Sequence, residues 1–434
     1  MTTPLLLYIT VIIAYIPGII LLFISKKIHK FPILVFAFFG MLAFNALGSI
    51  STFSSSSIYR INFDKYAVSD QLALILIVQI IIYYIFAAPY IIYRNPPARL
   101  AKLTLTDLLL VLVGIVIITA LGIKYFLETD GYLLLFSTLD GSLDINNSFS
   151  TRMKYIYGLK NWPIYNIGFV FLPIVIFSYA LLIYRFNRAY WPYFLLAAII
   201  CFSASLSMGS KAGLISFVLS SGITLIVHMG SDNKKLLTLV KNKVLIIFLL
   251  VGFFLLALGY LWTTPDDLTI QSLLTRIWYR MFVAYPDTIA GAISYVQENG
   301  VLGVSMLPTI RGLLPHEQIN ISLELHQFIA GSPGGATLPY GSEAFLIAGW
   351  IGIAVACPIV VLTLIFLQET TFHLKIGLTS LAFSSLFSYL AVLLSTIGVF
   401  STFFNLMYPG TLLIFAIIAV ITEHFRNLLI GYGR

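Results

Sequence analysis

Arg276 and Arg280, in Thr275-Arg276-Ile277-Trp278-Tyr279-Arg280, are four residues apart and would share one face of a helix. Like charges at that spacing repel, and an anion between them would relieve the repulsion. Guanidinium forks match phosphate oxygens two at a time. A basic helix resting on anionic lipid would show the same pattern. Lys211 lies in Met208-Gly209-Ser210-Lys211-Ala212-Gly213, a turn between two apolar runs. Gly209 permits the turn and Ser210 is placed to cap the next helix. The free N–H groups of that helix, with the ammonium, would attract an anion; a lysine reaching toward lipid headgroups is the other reading. Arg311, in Pro308-Thr309-Ile310-Arg311-Gly312, adds a further cation. Glu343, in Tyr340-Gly341-Ser342-Glu343-Ala344, and His326 are the candidate proton acceptors. Favourable placement at a helix N-terminus also accounts for Glu343, and His326 also reads as an ordinary loop histidine.

The elements that must position these groups are apolar helices. Of 434 residues, 59% are hydrophobic and only 10% charged, against about 25% charged in a soluble domain. Mean hydropathy is +0.98. Eleven segments have the length and composition of a spanning helix: roughly 5–24, 31–50, 71–93, 104–125, 165–184, 191–208, 212–229, 244–262, 343–367, 376–397 and 405–422. The first reads as a retained span. No basic residue precedes it, and Lys26, Lys27 and Lys30 follow it. Setting the N-terminus outside and alternating sides puts fifteen of the 25 Lys and Arg in short cytoplasmic loops, with only four of the 17 acidic residues. The +8 net charge is then explained by membrane orientation, and nucleic acid has no claim on it.

Residues 51–70, 126–164 and 263–342 are too long to be simple connectors. The last is expected to be an external cap within one membrane domain spanning 1–434. Leu268 to Gln297 carries helical spacing, with Trp278, Tyr279, Met281, Phe282 and Tyr285 available for an apolar face. Gly331-Ser332-Pro333-Gly334-Gly335 breaks any helix there.

Several chemistries have no residues to support them. The two cysteines, Cys201 and Cys357, lie in apolar runs, and no phosphate-cradling glycine loop occurs. Apart from Glu128-Thr129-Asp130, no two acidic residues are separated by a single residue, and only His316 and His326 fall outside, so no metal site or cofactor is expected. The span interiors lack ionisable residues, with Asn45 and Gln79 merely polar, which argues against ion-coupled transport. External cations without metal or nucleotide chemistry suit a lipid-linked pyrophosphate. Such a substrate brings its own leaving group, whose developing charge arginines would stabilise.

With these features the chain resembles the Wzy-type oligosaccharide repeat-unit polymerases, the O-antigen and enterobacterial-common-antigen group. Three places carry the resemblance: the basic small-residue turn Met208–Gly213, with Lys211 where the family usually has Arg; Thr275–Gly291, where ten residues separate Arg280 from Gly291; and Tyr340-Gly341-Ser342-Glu343 running into Ala348-Gly349-Trp350-Ile351-Gly352. The resemblance implies an all-helical, polytopic, metal-independent glycosyltransferase of the C class in a bacterial inner membrane, with its site on the periplasmic face. A growing glycan would pass from undecaprenyl pyrophosphate to an incoming lipid-linked repeat unit, in surface polysaccharide and lipopolysaccharide synthesis. Arg276 and Arg280 would bind pyrophosphate, Lys211 and Arg311 would support them, and Glu343 or His326 would act as base. Implied partners are the lipid-linked oligosaccharide, membrane lipids and a chain-length-regulating co-polymerase.

An O-antigen ligase would share these ingredients. A lipid-linked oligosaccharide flippase would be expected to carry cations inside its spans and to lack an 80-residue cap. A purely structural membrane protein would leave the external arginines replaceable. The topology is tested directly: cysteines placed at Ser272 and Ser322 should react with a membrane-impermeant reagent in intact cells, and one at Ser231 should not. The opposite labelling pattern would invert the orientation.

Overall fold

The computed structural model describes residues 4–24, 30–50, 63–96, 103–129, 164–165, 167–206, 211–231, 284–303, 321–331, 338–374 and 377–394, with isolated positions between 269 and 278. All regular structure among them is helical. The α-helices are α1 (Pro4–Ile24), α2 (Pro32–Gly40), α3 (Ser69–Tyr93), α4 (Leu105–Thr129), α5 (Leu172–Phe186), α6 (Trp191–Leu206), α7 (Lys211–Ser231), α8 (Ala284–Asn299), α9 (Ile321–Ala330), α10 (Tyr340–His373) and α11 (Gly377–Leu394). Nine of the eleven apolar segments carry one of these helices; 244–262 and 405–422 lie outside the described residues. Among the described residues four helical stretches are long and apolar enough to cross a membrane: Pro32–Ile50, Ser69–Tyr93, Asp107–Glu128 and Tyr340–His373. Shorter apolar helices cover Leu5–Leu21, Leu172–Phe186, Phe217–His228 and Leu378–Leu394. The protein is therefore all-helical and membrane-embedded.

The chain divides into two compact units. One comprises Met1–Pro96, Leu274–Thr370 and Phe387–Pro409, the other Pro97–Leu273, Thr371–Leu386 and Gly410–Arg434. In the second unit Thr104 and Asp107 cap α4 reciprocally. The Asp107 carboxylate accepts from the Thr104 N–H at 2.8 Å and its hydroxyl at 2.7 Å. Gly114 lets Ile176 of α5 lie against α4, since a Cβ there would meet it at 2.0 Å. The Phe177 and Phe217 rings pack at 4.6 Å, and the buried Ser178 and Thr224 hydroxyls join α5 to α7 at 2.9 Å.

The first unit contains repaired helix defects. Pro17 interrupts α1, and the Tyr84 hydroxyl enters the opened turn. It accepts from the Gly18 N–H and donates to the Ala14 carbonyl, both at 3.0 Å, replacing the bond those two groups would make with each other. The α2 helix widens into a π-helical turn, Met41–Leu47, and ends in a 3-10 turn, Gly48–Ile50. Gln368 of α10 accepts from the exposed-end N–H of Ile33 at 3.1 Å.

The largest defect is in α10. Ala348 (φ −145°, ψ 20°) and Gly349 (φ 56°, ψ −136°) break it, leaving a two-turn half-helix, Tyr340–Ile347, before Trp350–His373. The carbonyls of Leu346 and Ile347 lose their helical partners and accept instead from the N–H groups of Leu302 at 2.8 Å and Gly303 at 3.0 Å. Gly300 and Gly303, at φ 81° and 82°, turn the chain so that it can supply them. The 24 residues Trp350–His373 extend about 36 Å, enough to span a bilayer core of about 30 Å by themselves. The segment expected as a continuous span, 343–367, therefore begins within a separate half-helix.

Charged residues that the alternating topology assigns to one side meet in this unit. Lys65, before α3, pairs with Asp287 of α8 at 3.5 Å. Arg94, just past α3, forms a two-bonded pair with Glu369 of α10 at 2.6 and 2.9 Å, joined by the Tyr90 hydroxyl at 2.8 Å.

The break sets different demands on neighbouring glycines. A Cβ on Gly352 would sit 1.9 Å from the Ala344 carbonyl oxygen, whereas Gly122 and Gly222 have nothing within 4 Å. Gly352→Ala is expected to destabilise the protein by about 1–3 kcal/mol, while Gly122→Ala and Gly222→Ala should be neutral or stabilise by about 0.5–1 kcal/mol. Thermal unfolding of the three variants in detergent distinguishes them, and equal melting of Gly352→Ala and wild type would refute the close approach.

Candidate functional site

The half-helix brings the polar end of α10 into an apolar environment. Pro339 starts it, its carbonyl accepting from the N–H groups of Ser342 at 2.9 Å and Glu343 at 3.1 Å and from the Ser342 hydroxyl at 2.8 Å. Glu343 is 1% exposed. Its carboxylate is thus a buried group one turn into a short helix, more enclosed than an interfacial cap would be. Gly341 lies against the Gln79 side chain, since a Cβ there would come within 2.3 Å of its Nε2. Gln79 is ten residues into α3, a depth of about 15 Å along its axis. The Tyr340 hydroxyl donates to the Met41 sulfur at 3.5 Å, placing the same turn against the π-helical segment.

Asn45 projects from that π-helical segment, and its Nδ2 donates to Gln79 Oε1 at 3.2 Å. Both residues are buried, and neither Asn45 Oδ1 nor Gln79 Nε2 has a hydrogen-bond partner. π-Helical turns recur at functional positions because the extra residue re-aims side chains. The α8 helix packs on this segment and on α3, and the rings of Phe44 and Tyr285 meet edge to face at 5.2 Å. Asn45 and Gln79 thus form a buried amide pair between the continuation of α2 and α3, against which Gly341 of the half-helix packs.

The sequence candidates fall differently. His326 lies in α9, partly exposed. Its neighbour Leu325 shares an apolar cluster with Ala292, Tyr295, Ile321 and Leu346, so α9 packs on the half-helix that carries Glu343. The Tyr295 phenol donates to Glu324, and burial and that carboxylate push it up to about 12. Gly331, at φ 64°, ends α9 where the glycine-rich stretch begins. Gly291, the far member of the Arg-to-Gly spacing, is a packing position: a Cβ there would meet Ile329 of α9 at 2.4 Å. Of the apolar face expected over Leu268–Gln297, Trp278 is exposed and Tyr285 half-buried. Arg276, Arg280 and Arg311 lie outside the described residues, and so does the side chain of Lys211, which opens α7.

Two features escaped the sequence reading. Asn45 and Gln79 had a visible signal, a lone amide in each of two apolar runs, but their pairing across 34 positions did not. Lys65 and Asp287 are 222 positions apart and carried no signal.

The site is a buried polar cluster at a broken helix in an all-helical membrane protein. No family model, curated protein or solved structure matches this chain.

The Lys65–Asp287 pair anchors α8 beside the cluster, with side chains only 9% and 3% exposed. Removing one partner leaves a buried charge, so Lys65→Met should lower stability by about 3–5 kcal/mol. The double variant Lys65→Met/Asp287→Leu should recover part of that loss. Chemical denaturation of the purified proteins measures both, and an unchanged Lys65→Met would mean that the pair contributes nothing.

Proposed function

We propose that this protein is a polymerase of undecaprenyl-pyrophosphate-linked oligosaccharide repeat units, a metal-independent glycosyltransferase acting at the periplasmic face of a bacterial inner membrane. The observation that carries the reading is Glu343: a carboxylate 1% exposed, in a two-turn half-helix sunk among apolar helices. A carboxylate withdrawn from water is suited to accept a proton from a sugar hydroxyl. The all-helical membrane-embedded fold, together with the eleven apolar segments and the three places of resemblance in the sequence, supports the same reading.

In this mechanism Glu343 takes the proton of the acceptor hydroxyl as its oxygen attacks the anomeric carbon of the donor glycan. The bond from that carbon to the pyrophosphate oxygen breaks, and undecaprenyl pyrophosphate leaves with the electron pair. Arg276 and Arg280 hold the charge that develops on it, with Lys211 and Arg311 as supporting cations. His326 is the alternative base. The glycan is thereby extended at the end that carries the acceptor lipid.

The test is the glycan ladder of a deletion strain complemented with variants. Loss of the protein should leave caps of a single repeat unit; complete loss of capped lipid would point to a ligase or a flippase. Arg280→Ala should reduce polymer on the order of 100-fold, and Arg280→Lys, which keeps charge but not the planar fork, should also reduce it, though less. Arg60→Ala should behave as wild type, and Glu343→Gln should abolish transfer while substrate still binds. Normal polymer from Glu343→Gln would remove it as base and leave His326. Normal polymer from Arg280→Ala would remove that arginine from the site.

A further inference from the structure

The hydrogen bond between Asn45 and Gln79 engages two of the four polar side-chain atoms these amides carry. The remainder is one acceptor, Asn45 Oδ1, and one donor, Gln79 Nε2, both buried and without a hydrogen-bond partner. Turning both amides over exchanges oxygen for nitrogen and still leaves one acceptor and one donor. A helix-joining role explains the 3.2 Å bond but not the surplus. In an apolar core unmatched amide atoms oppose folding, and apolar side chains of similar size would serve packing better.

The surroundings enclose these atoms without matching them. The π-helical turn carries Asn45, and Gly341 presents bare backbone to Gln79 Nε2 where any Cβ would collide at 2.3 Å. Two residues further along the same turn is Glu343, also buried. The Tyr15 hydroxyl is a third buried atom without a hydrogen-bond partner.

We infer that Asn45 and Gln79 form a recognition subsite for a hydroxyl of the acceptor sugar, packed against the half-helix that carries the base Glu343. The surplus matches one hydroxyl, which accepts from Nε2 and donates to Oδ1. An anion would meet the carbonyl oxygen and a cation the N–H, so the match is to a neutral group that both gives and takes. Gly341 closes over the pair, so binding a sugar hydroxyl here requires the half-helix to be displaced. The inference rests on the glycan-transfer reading and assigns specificity to residues outside the cationic cluster.

The experiment compares the purified wild-type protein with Asn45→Leu/Gln79→Met, using two probes: the lipid-linked repeat unit extracted from the deletion strain, and sugar-free undecaprenyl pyrophosphate. Without ligand, the double variant should melt at the wild-type temperature or above it, because it buries no unmatched amide. Its affinity for the repeat-unit lipid should fall about tenfold or more, with sugar-free lipid bound as before. A second variant, Asn45→Gln/Gln79→Asn, keeps the polar groups but displaces them, and should lose the preference for the glycosylated probe even if the apolar pair fails to fold. Undiminished preference in either variant overturns the subsite and leaves glycan transfer standing. A melting temperature lowered by several degrees, with the preference intact in the swapped pair, makes the pair structural. If the wild-type protein binds both probes equally, the glycan-transfer reading falls and the subsite falls with it.

Discussion

Lipid offers nothing to a carbonyl that has lost its helical partner, so a break in an apolar helix persists only where the protein itself supplies a donor. Residues 302 and 303 do this for α10, donating to the carbonyls of Leu346 and Ile347. Much of the first unit's candidate site follows from that repair. It fixes where the half-helix ends and permits the next helix to start in a new direction at Trp350. It also holds Tyr340–Glu343 at a depth where Gly341 meets the middle of α3. The same solution occurs on a smaller scale in α1, where a tyrosine hydroxyl bridges the turn opened by Pro17.

A continuous helix would have given Glu343 a different position. Carried to its end without a bend, α10 would place its N-terminal carboxylate toward the interface, where water and the free N–H groups favour a cap. The break shortens the spanning part to Trp350–His373 and turns the first two turns into a buried arm. Its placement among α3 and the π-helical segment is held at the far end of α3 by the Arg94–Glu369 pair and near its start by Lys65 with Asp287. Neither pair includes a proposed pyrophosphate ligand, so the scaffold and the proposed chemistry use separate charges.

Apolar helices were legible in the sequence because hydropathy and length are properties of a single run. Nine of the eleven segments read from it carry a helix. The break was not legible, because an apolar run reads the same on both sides of it. Gly349 and Gly352 were visible, but what they permit depends on residues 302–303, which lie over forty positions earlier. Gly291 shows the opposite error. A spacing pattern drew attention to it, while its structural use is close packing against Ile329. Glu343 and His326 could be named from local context. The partnership of Asn45 with Gln79 required knowing that a π-helical turn and the middle of α3 face each other.

Like the Tyr15 hydroxyl, the Asn45–Gln79 pair keeps buried polar atoms without matched partners, unlike the polar groups that repair helices in the first unit. The Gln368 carbonyl is spent on the N–H of Ile33, and the Tyr83 hydroxyl on the Leu34 carbonyl at 2.8 Å. Those contacts correct the ends and joints of helices and leave little over. Asn45 and Gln79 are not used to mend a helix end, and the backbone of Gly341 packs on one amide without pairing it. Local rules of folding are broken most readily where another requirement competes with stability. A single mended helix break can therefore account for two features together: a carboxylate removed from water and, packed against the same half-helix, hydrogen-bonding capacity that folding does not consume.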